Sequence, residues 1–383
     1  MTHEDLQSIL IAMLEGGDGL SDCLFVTGRP PLVERYGELH ELPMEAPEAA
    51  LQPAHIEAIA ALLMEGSERL ADDLAATGSC DTSYEVPHRA RFRVNIYKQS
   101  GRPGIVMRKL QSQMPTLDSL GLPPIFSEIV REKHGIVFVT GSTGSGKTTT
   151  QAAMLNEINE TEAVHVVTLE DPIEFVHPLG KAVFSQRELG KDFPNFATGL
   201  RAALRQAPKV ILIGEIRDRE TMEIALTASE TGHLVFCTLH TINASQSINR
   251  ILGLFTTDEE KQVRERLADT LRFIVSQRLV NRLDGGRLLV TEIMGSSLRT
   301  RETLLYGEGE NRTFQEIIEA GSTLGWHSFD QSLMRAFEDD LITEETALLF
   351  CTHKNKMRRD LEMTKKLRYP IAEEPSGLKM ASM

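Results

Sequence analysis

A glycine-rich octapeptide, GSTGSGKT at residues 141–148, follows the apolar run 136–140 and precedes a helical segment at 149–158. Glycines at this spacing let backbone N–H groups turn towards phosphate oxygens, and a helix that begins just after them directs its positive end at an anion. Lys147 is expected to reach the β- and γ-phosphates of a nucleotide, and the Thr148 hydroxyl to bind Mg²⁺. The octapeptide therefore predicts a phosphate-binding P-loop, in preference to a flexible Gly/Ser loop.

The P-loop defines the residues expected to bind ATP and Mg²⁺. They are Gly141, Ser142, Thr143, Gly144, Ser145, Gly146, Lys147, Thr148 and Thr149.

Short apolar runs alternate with helical segments after residue 125. The runs lie at 136–140, 163–169, 210–213 and 234–239. Unbroken apolar strands between helices are typical of a parallel sheet that is covered on both faces. Apolar residues recur at helical spacing over 259–283, which predicts a long amphipathic helix there. Residues 125–352 are therefore predicted to form an α/β domain with a largely parallel sheet.

The first 110 residues have a different pattern, with three helices, a hairpin that turns near Gly37 and a strand of period two. In that strand Phe92, Val94 and Ile96 face away from Arg91 and Arg93. We predict a small mixed α/β domain at 1–110, followed by a Pro- and Gly-punctuated linker at 111–124. Residues 353–383 are polar and are predicted to form a flexible tail.

Composition excludes several classes of protein. The chain has 41 Lys and Arg against 55 Asp and Glu, a formal net charge of −14, which disfavours a nucleic-acid partner. No apolar run reaches the ~18 residues of a membrane span, and the N-terminus lacks a signal peptide, so a cytoplasmic location is expected. The four cysteines form no Cys-x-x-Cys pair, so neither a disulfide framework nor a compact zinc site is indicated.

Two acidic segments follow apolar strands and should lie at one edge of the sheet. Glu215 follows Gly214, which stands where P-loop ATPases usually carry Asp, and is predicted to polarise the attacking water as general base. Glu170 is predicted to hold Mg²⁺, directly or through water. The alternatives are a solvated strand-end glutamate at 215 and an acidic turn imposed by Pro172.

Two histidines and three arginines are further candidates. His233 and His240 flank the run 234–239, a spacing that does not suit a metal site but allows one of them to sense a γ-phosphate. The alternative is a structural role. Arg91, Arg93 and Arg108 form a basic face, which is either solvated or supplies an arginine to a nucleotide in a neighbouring subunit.

The motifs occur together in the order found in the secretion-ATPase superfamily. The chain resembles most closely the type IV pilus retraction ATPases, PilT and PilU. The resemblance covers roughly residues 5–350. It rests on these motifs: the P-loop, the acidic box TLEDPIEF at 168–175, GEIRD at 214–218, the histidine box TGHLVFCTLHT at 231–241, RFRV at 91–94, PTL at 115–117 and SFDQSL at 328–333.

The resemblance implies a PAS-like N-terminal domain and a RecA-like ATPase domain. It implies a hexameric ring that docks at the cytoplasmic side of the inner membrane on the pilus platform protein and depolymerises the pilus by ATP-driven domain rotation. By motif, Glu215 becomes the catalytic carboxylate, Glu170 supports metal and water, and the two histidines belong to the site. The three arginines become contacts to phosphate between domains or subunits.

Two features bear on the branch of the superfamily. Assembly ATPases typically carry a four-cysteine zinc site and a larger N-terminal region, whose absence here favours retraction. The C-terminal Ala-Ile-Arg-Asn-Leu-Ile-Arg-Glu motif of PilT is not preserved at 296–305, which favours a PilU-like accessory motor beside a paralogous retraction ATPase. The alternatives are a secretion or pilus-assembly ATPase, a catalytically weak regulatory subunit of a mixed motor and, last, a nucleic-acid motor.

Overall fold

The computed structural model describes residues 2–42, 50–110, 113–310 and 312–368. Its first elements are α1 (His3–Glu15), β1 (Leu20–Phe25), β2 (Leu32–Arg35), β3 (Glu38–Glu41), α2 (Pro53–Met64), α3 (Glu68–Thr77), β4 (Ser79–Val86), β5 (Ala90–Gln99), β6 (Arg102–Lys109) and α4 (Ile125–Ile129). The next are β7 (Gly135–Thr140), α5 (Lys147–Thr161), β8 (His165–Glu170), β9 (Val183–Glu188), α6 (Phe196–Ala203), β10 (Val210–Ile213), α7 (Arg219–Glu230) and β11 (Leu234–Leu239). The last are α8 (Ala244–Leu252), α9 (Thr257–Thr270), β12 (Leu271–Asn281), β13 (Arg287–Gly295), α10 (Leu298–Tyr306), α11 (Phe314–Ala320), α12 (Phe329–Glu338), α13 (Glu344–Phe350) and α14 (Lys354–Arg368).

The first sheet has six antiparallel strands in the order β3-β2-β1-β6-β5-β4. The predicted period of two in β5 is confirmed, because Phe92, Val94 and Ile96 are fully buried while Arg93 is exposed. Apolar residues of α1 and α2 share a core with these side chains. Full burial of each such side chain contributes about 1.5–3 kcal/mol.

The other seven strands form two groups, in the orders β13-β12-β7-β11 and β10-β8-β9. The pairs β11–β7, β12–β7, β10–β8 and β8–β9 are parallel, and the edge strand β13 is antiparallel to its neighbour β12. Every residue of β7, β10 and β11 is buried. The predicted largely parallel sheet, and with it the α/β fold class, is confirmed.

The chain divides into two compact units. Unit 1 comprises Met1–Thr116 and Ala152–Glu215, and unit 2 comprises Leu117–Gln151 and Ile216–Met383. Unit 1 contains the six-stranded sheet and β8, β9 and β10, whereas unit 2 contains β7, β11, β12 and β13. The domain limits inferred from the sequence stay a prediction.

The prediction of one long helix at 259–283 is wrong. Helix α9 ends at Thr270, and Leu271–Asn281 forms β12, which lies between β7 and β13. A strand covered on both faces carries apolar residues in succession, as at Phe273, Ile274 and Val275. Such a run cannot be told from a buried helix by its periodicity alone.

The polar segment after residue 353 contains a helix rather than only a flexible tail. Helix α14 covers Lys354–Arg368, and its Met357 and Leu361 are buried in a core with Phe329 and Leu333 of α12. The polar residues that suggested a flexible tail lie mostly on the exposed surface of this helix. Residues 369–383 lie outside the described residues.

None of the helices in the described part of the chain combines the length and the apolar character needed to cross a bilayer.

Candidate active site

The P-loop of unit 2 has the predicted strand–loop–helix arrangement. Strand β7 ends at Thr140, and helix α5 begins at Lys147. Gly141, Gly144 and Gly146 have φ angles of 150°, 77° and 88°, a region that glycine adopts readily and other residues rarely do. Residues 142–144 are exposed at the tip of the loop. The loop therefore presents its backbone N–H groups at the N-terminus of a helix, where an anion is stabilised.

Close packing holds the P-loop against β12. A Cβ atom on Gly141 would lie 2.4 Å from the Ser145 Oγ and 2.7 Å from the Gln277 carbonyl oxygen. The Lys147 Nζ donates hydrogen bonds to the carbonyl oxygens of Gly141 (2.9 Å) and Ser142 (3.0 Å). The positive charge of Lys147 thus lies over the P-loop, which is where a lysine that binds phosphate is predicted to be.

The residues present fit a nucleoside triphosphate with Mg²⁺. The Ser145 Oγ is buried and has no hydrogen-bond partner among the described residues, as expected for a group that a bound ligand or water satisfies. Within the described residues, no group of three or more His, Cys, Asp or Glu side chains is placed to hold a metal ion. Mg²⁺ at a phosphate needs only one or two protein oxygens, and the Thr148 hydroxyl could supply one of them.

Gln277 supports the P-loop and was missed by the sequence analysis. Its Nε2 donates to the Thr150 Oγ1 on α5 (2.8 Å), and the neighbouring Ser276 Oγ accepts a bond from the Thr140 Oγ1 (3.0 Å). Both residues lie on β12, the strand that was mistaken for a helix. Correct assignment of that strand would have placed them beside the loop.

The Gly141→Ala variant is expected to lower the free energy of unfolding by about 2 kcal/mol or more, because its Cβ would contact Ser145 and Gln277 and the φ angle is strained. Gly144→Ala is the matched control. Its φ of 77° is unfavourable for alanine, but no atom lies within 4 Å of the added Cβ, so a loss of about 1 kcal/mol is expected. Urea unfolding measures both, and equal losses would contradict the close packing at Gly141.

The two histidines lie at opposite ends of β11. Strands β7 and β11 are parallel with Leu239 opposite Thr140, so His240 follows the strand at the edge where the P-loop begins. His233 precedes the strand at the other edge, and its Nδ1 bonds to the Ala228 carbonyl oxygen (2.9 Å). The geometry within unit 2 therefore supports the structural alternative for His233 and leaves His240 as the histidine at the P-loop edge.

In unit 1, the acidic candidates lie at one edge of the strand group β10-β8-β9. Ile213 lies opposite Leu169, so Gly214 and Glu215 follow β10 at the end where Glu170 closes β8. A Cβ on Gly214 would lie 3.1 Å from the Leu169 carbonyl oxygen. This close approach gives a physical reason for glycine at the position where Asp is usual.

Glu170 is held by neighbours that the sequence analysis did not identify. Its Oε1 accepts bonds from the Thr168 hydroxyl (2.6 Å) and the Gln186 Nε2 (3.2 Å), and the residue is 8% exposed. Burial raises the pKa of the Glu170 carboxyl to about 7, although both hydrogen bonds act to lower it. A carboxylate of this kind is suited to bind a cation or to exchange a proton near neutral pH.

The three arginines have different surroundings. Arg91 donates to Glu188 at the end of β9. Arg108 pairs with Asp22, at 2.9 Å between Nε and Oδ1. Arg93 lies opposite Arg108 in the β5–β6 register and is exposed. The predicted basic face is therefore occupied in part by ion pairs within unit 1.

Comparisons with known proteins agree with these features. A family model described as "Type II/IV secretion system protein" matches residues 80–317. The type IV pilus retraction ATPase PilT of Pseudomonas aeruginosa is 38% identical over 329 residues, which cover 86% of this chain and 93% of PilT. The type IV pilus ATPase PilU of the same organism is 34% identical over 356 residues, 92% of this chain and 90% of PilU.

A solved structure shares the fold. The crystal structure of the pilus retraction motor PilT with bound ADP has a TM-score of 0.81 and 37% sequence identity, and the match covers 92% of this chain and 99% of that one. The resemblance inferred from the motifs is thus confirmed. The chain belongs to the type II/IV secretion system protein family, in the group of ATPases that includes PilT and PilU.

Proposed function

We propose that the chain is the subunit of a hexameric motor that hydrolyses Mg-ATP and powers type IV pilus retraction and twitching motility, with a PilU-like accessory role. The P-loop carries this proposal. It combines left-handed glycines, a lysine over the loop and a buried unpartnered Ser145 hydroxyl, in a chain that is similar to PilT over most of its length.

Each candidate residue has a proposed task. Lys147 and the P-loop N–H groups bind the β- and γ-phosphates, and Thr148 and Glu170 hold Mg²⁺, directly or through water. Bound Mg²⁺ would supply positive charge against these phosphates. Glu215 orients and deprotonates the attacking water, and His240 contacts the γ-phosphate. The order of motifs along the chain supports these tasks.

An arginine of the basic face is proposed to act between subunits, with Arg93 as the first candidate. Arg93 is exposed, whereas Arg91 and Arg108 are ion-paired within their own unit. A guanidinium supplied to a neighbouring subunit's nucleotide would stabilise charge that develops on the transferred phosphoryl group. A site completed in this way works only in the assembled ring.

The proposed partners follow from the family. The ring is proposed to dock from the cytoplasm on the inner-membrane platform protein of the pilus, beside a paralogous retraction ATPase. The altered segment at 296–305 supports the accessory role. A secretion or pilus-assembly ATPase and a catalytically weak regulatory subunit are the alternatives, and loss of pilus retraction on deletion of the gene separates the first from the proposal.

The direct test is the ATPase rate as a function of protein concentration for the wild type and for Glu215→Gln. We expect the specific activity of the wild type to rise with concentration, because a site shared between subunits is complete only in the ring. Glu215→Gln is expected to lose at least about a hundredfold in kcat, since the general base is removed.

The matched control for this test is Glu57→Gln, which removes the same charge from an exposed position on α2. It should behave as the wild type. A wild-type rate that is independent of concentration and close to that of Glu215→Gln would contradict the motor. It would favour the regulatory subunit instead.

A further inference from the structure

A buried carboxylate at the end of β9 receives hydrogen bonds from several parts of unit 1. Glu188 is 3% exposed. It accepts bonds from the Ser83 hydroxyl (2.7 Å), the Ile173 N–H (3.2 Å) and the Arg91 guanidinium, and the Lys191 Nζ lies 3.1 Å from its Oε1. Burial alone raises the pKa of Glu188, but these partners together hold it below its ordinary value. The group is therefore a fully partnered anion inside the protein.

The partners of Glu188 come from separate segments. Ser83 and Arg91 belong to β4 and β5 of the six-stranded sheet, Ile173 to the loop after β8, and Lys191 to the turn after β9. Arg91 also donates to the Ser83 Oγ (3.0 Å), and the Lys191 Nζ donates to the same oxygen (2.7 Å). One carboxylate thus joins the six-stranded sheet to the acidic segment, residues 170–174.

Glu188 also adjoins the backbone on both sides of Glu170. The two glutamates are opposite one another in the β8–β9 register, and the Leu189 N–H donates to the Glu170 carbonyl oxygen (2.8 Å). The bond to Ile173 fixes the chain three residues after Glu170. Any shift of Glu188 would therefore be transmitted to the acidic segment through two backbone contacts.

We propose that Glu188 is a positioning residue that holds the acidic segment in place for ATP hydrolysis, and that Arg91 acts through Glu188 within its own chain. This inference rests on the proposed function. Arg91 then contributes by fixing a carboxylate beside the site and not by contacting a phosphate of a neighbouring subunit. Partners of this kind, one layer behind a reactive group, contribute about 10- to 100-fold to activity.

The first experiment measures kcat and KM for ATP with Glu188→Gln, Arg91→Ala and the double variant. Glu188→Gln is expected to lower kcat about 10- to 100-fold with little change in KM, because the P-loop residues that bind ATP are untouched. Arg91→Ala should have a similar effect alone. In the Glu188→Gln background it should lower kcat by no more than about threefold further, since its partner is already lost.

The matched control is Asp330→Asn. Asp330 is also buried, and it accepts bonds from the Thr352 N–H (2.6 Å) and the His353 N–H (2.9 Å) in unit 2. The Asp330→Asn variant should have a lower free energy of unfolding and an unchanged kcat at temperatures well below unfolding. If Glu188→Gln behaves in the same way, its role is structural and the inference is overturned. If the fold-losses of kcat in the two single variants multiply in the double variant, Arg91 acts independently of Glu188. That result would also overturn the inference.

A second measurement does not depend on ATP hydrolysis. Hydrogen exchange of the Ile173 amide should be faster in Glu188→Gln and in Arg91→Ala than in the wild type, because glutamine keeps only one of the two acceptor oxygens and loss of Arg91 frees the carboxylate to move. Unchanged exchange would overturn the positioning role. A wild-type chain without ATPase activity would contradict the proposed function instead, so the two failures can be told apart.

Discussion

Replacement of Lys147 by alanine is expected to reduce kcat/KM for ATP by at least about a hundredfold. The Lys147 Nζ lies over the P-loop, 2.9 Å and 3.0 Å from two of its carbonyl oxygens, so its positive charge is already placed where phosphates are predicted to bind. Without it, the charge that develops on the γ-phosphate loses its nearest fixed cation. Steady-state kinetics and binding of a fluorescent ATP analogue measure the loss.

The matched control is Lys209→Ala, which removes an exposed lysine just before β10. It should leave kinetics and nucleotide binding unchanged. Urea unfolding of both variants shows whether a loss of activity comes from the lost positive charge or from lost stability. Normal nucleotide binding by Lys147→Ala would place the phosphates away from this loop and contradict the assignment of the site.

The P-loop and the strands around it could be predicted from the sequence because their signals are local. Glycines, lysine and threonine within eight residues define the loop, and short apolar runs define buried parallel strands such as β7, β10 and β11. The same local signal located Glu170 and Glu215 at strand ends. Their common edge then followed from the direction of parallel strands.

The supports of the site could not be predicted, because they depend on contacts between distant residues. Gln277 bonds to Thr150 across 127 positions, and Glu188 bonds to Ser83 across 105. Strand β9, which carries Glu188, has one exposed and four partly buried residues before its last position and no clear apolar period. Nothing near Glu188 in the sequence indicates that Ser83, Arg91 and Ile173 are its partners, and an isolated glutamate is ordinarily exposed.

The position of His233 shows a second reason why a sequence motif does not predict every residue of a site. A motif assigns a residue to a site by its position in the sequence, but the two histidines of one motif can lie at opposite ends of a strand. Six residues of β11 separate them, so they are seven steps apart, and about 3.3 Å per step places them about 23 Å apart. The geometry of a single chain therefore distinguishes His240 from His233, which the motif alone does not.

The Glu292→Gln variant is expected to be more stable than the wild type at pH 8.5 by about 3 kcal/mol, with a gain that shrinks as the pH falls towards 5.5. Glu292 is 3% exposed on β13, and burial raises its pKa from 4.5 to about 7 despite the Ala244 N–H bond and the charge of Arg278. Between these two pKa values the native state binds more protons than the unfolded state. Its stability therefore falls as the pH rises, and glutamine removes that loss.

Glutamine should keep the contact that Glu292 makes. The Glu292 Oε1 accepts the Ala244 N–H at 2.9 Å at the start of α8, and an amide oxygen can accept the same bond. We therefore expect ATP hydrolysis to be unchanged in this variant. Urea unfolding at pH 5.5, 7 and 8.5 measures the predicted change in the stability difference.

Glu316→Gln provides a control in which the pKa of the native carboxyl is lowered, not raised. Glu316 is an exposed capping residue of α11, and the Thr313 N–H bond lowers its pKa, so its contribution to stability is fully present above its ordinary pKa. The glutamine variant should lose a small and constant amount of stability across this pH range. A gain in Glu292→Gln that was equally constant would show that the pKa of Glu292 is not raised in the native state, because the stability difference depends on pH only where the native and unfolded states bind different numbers of protons.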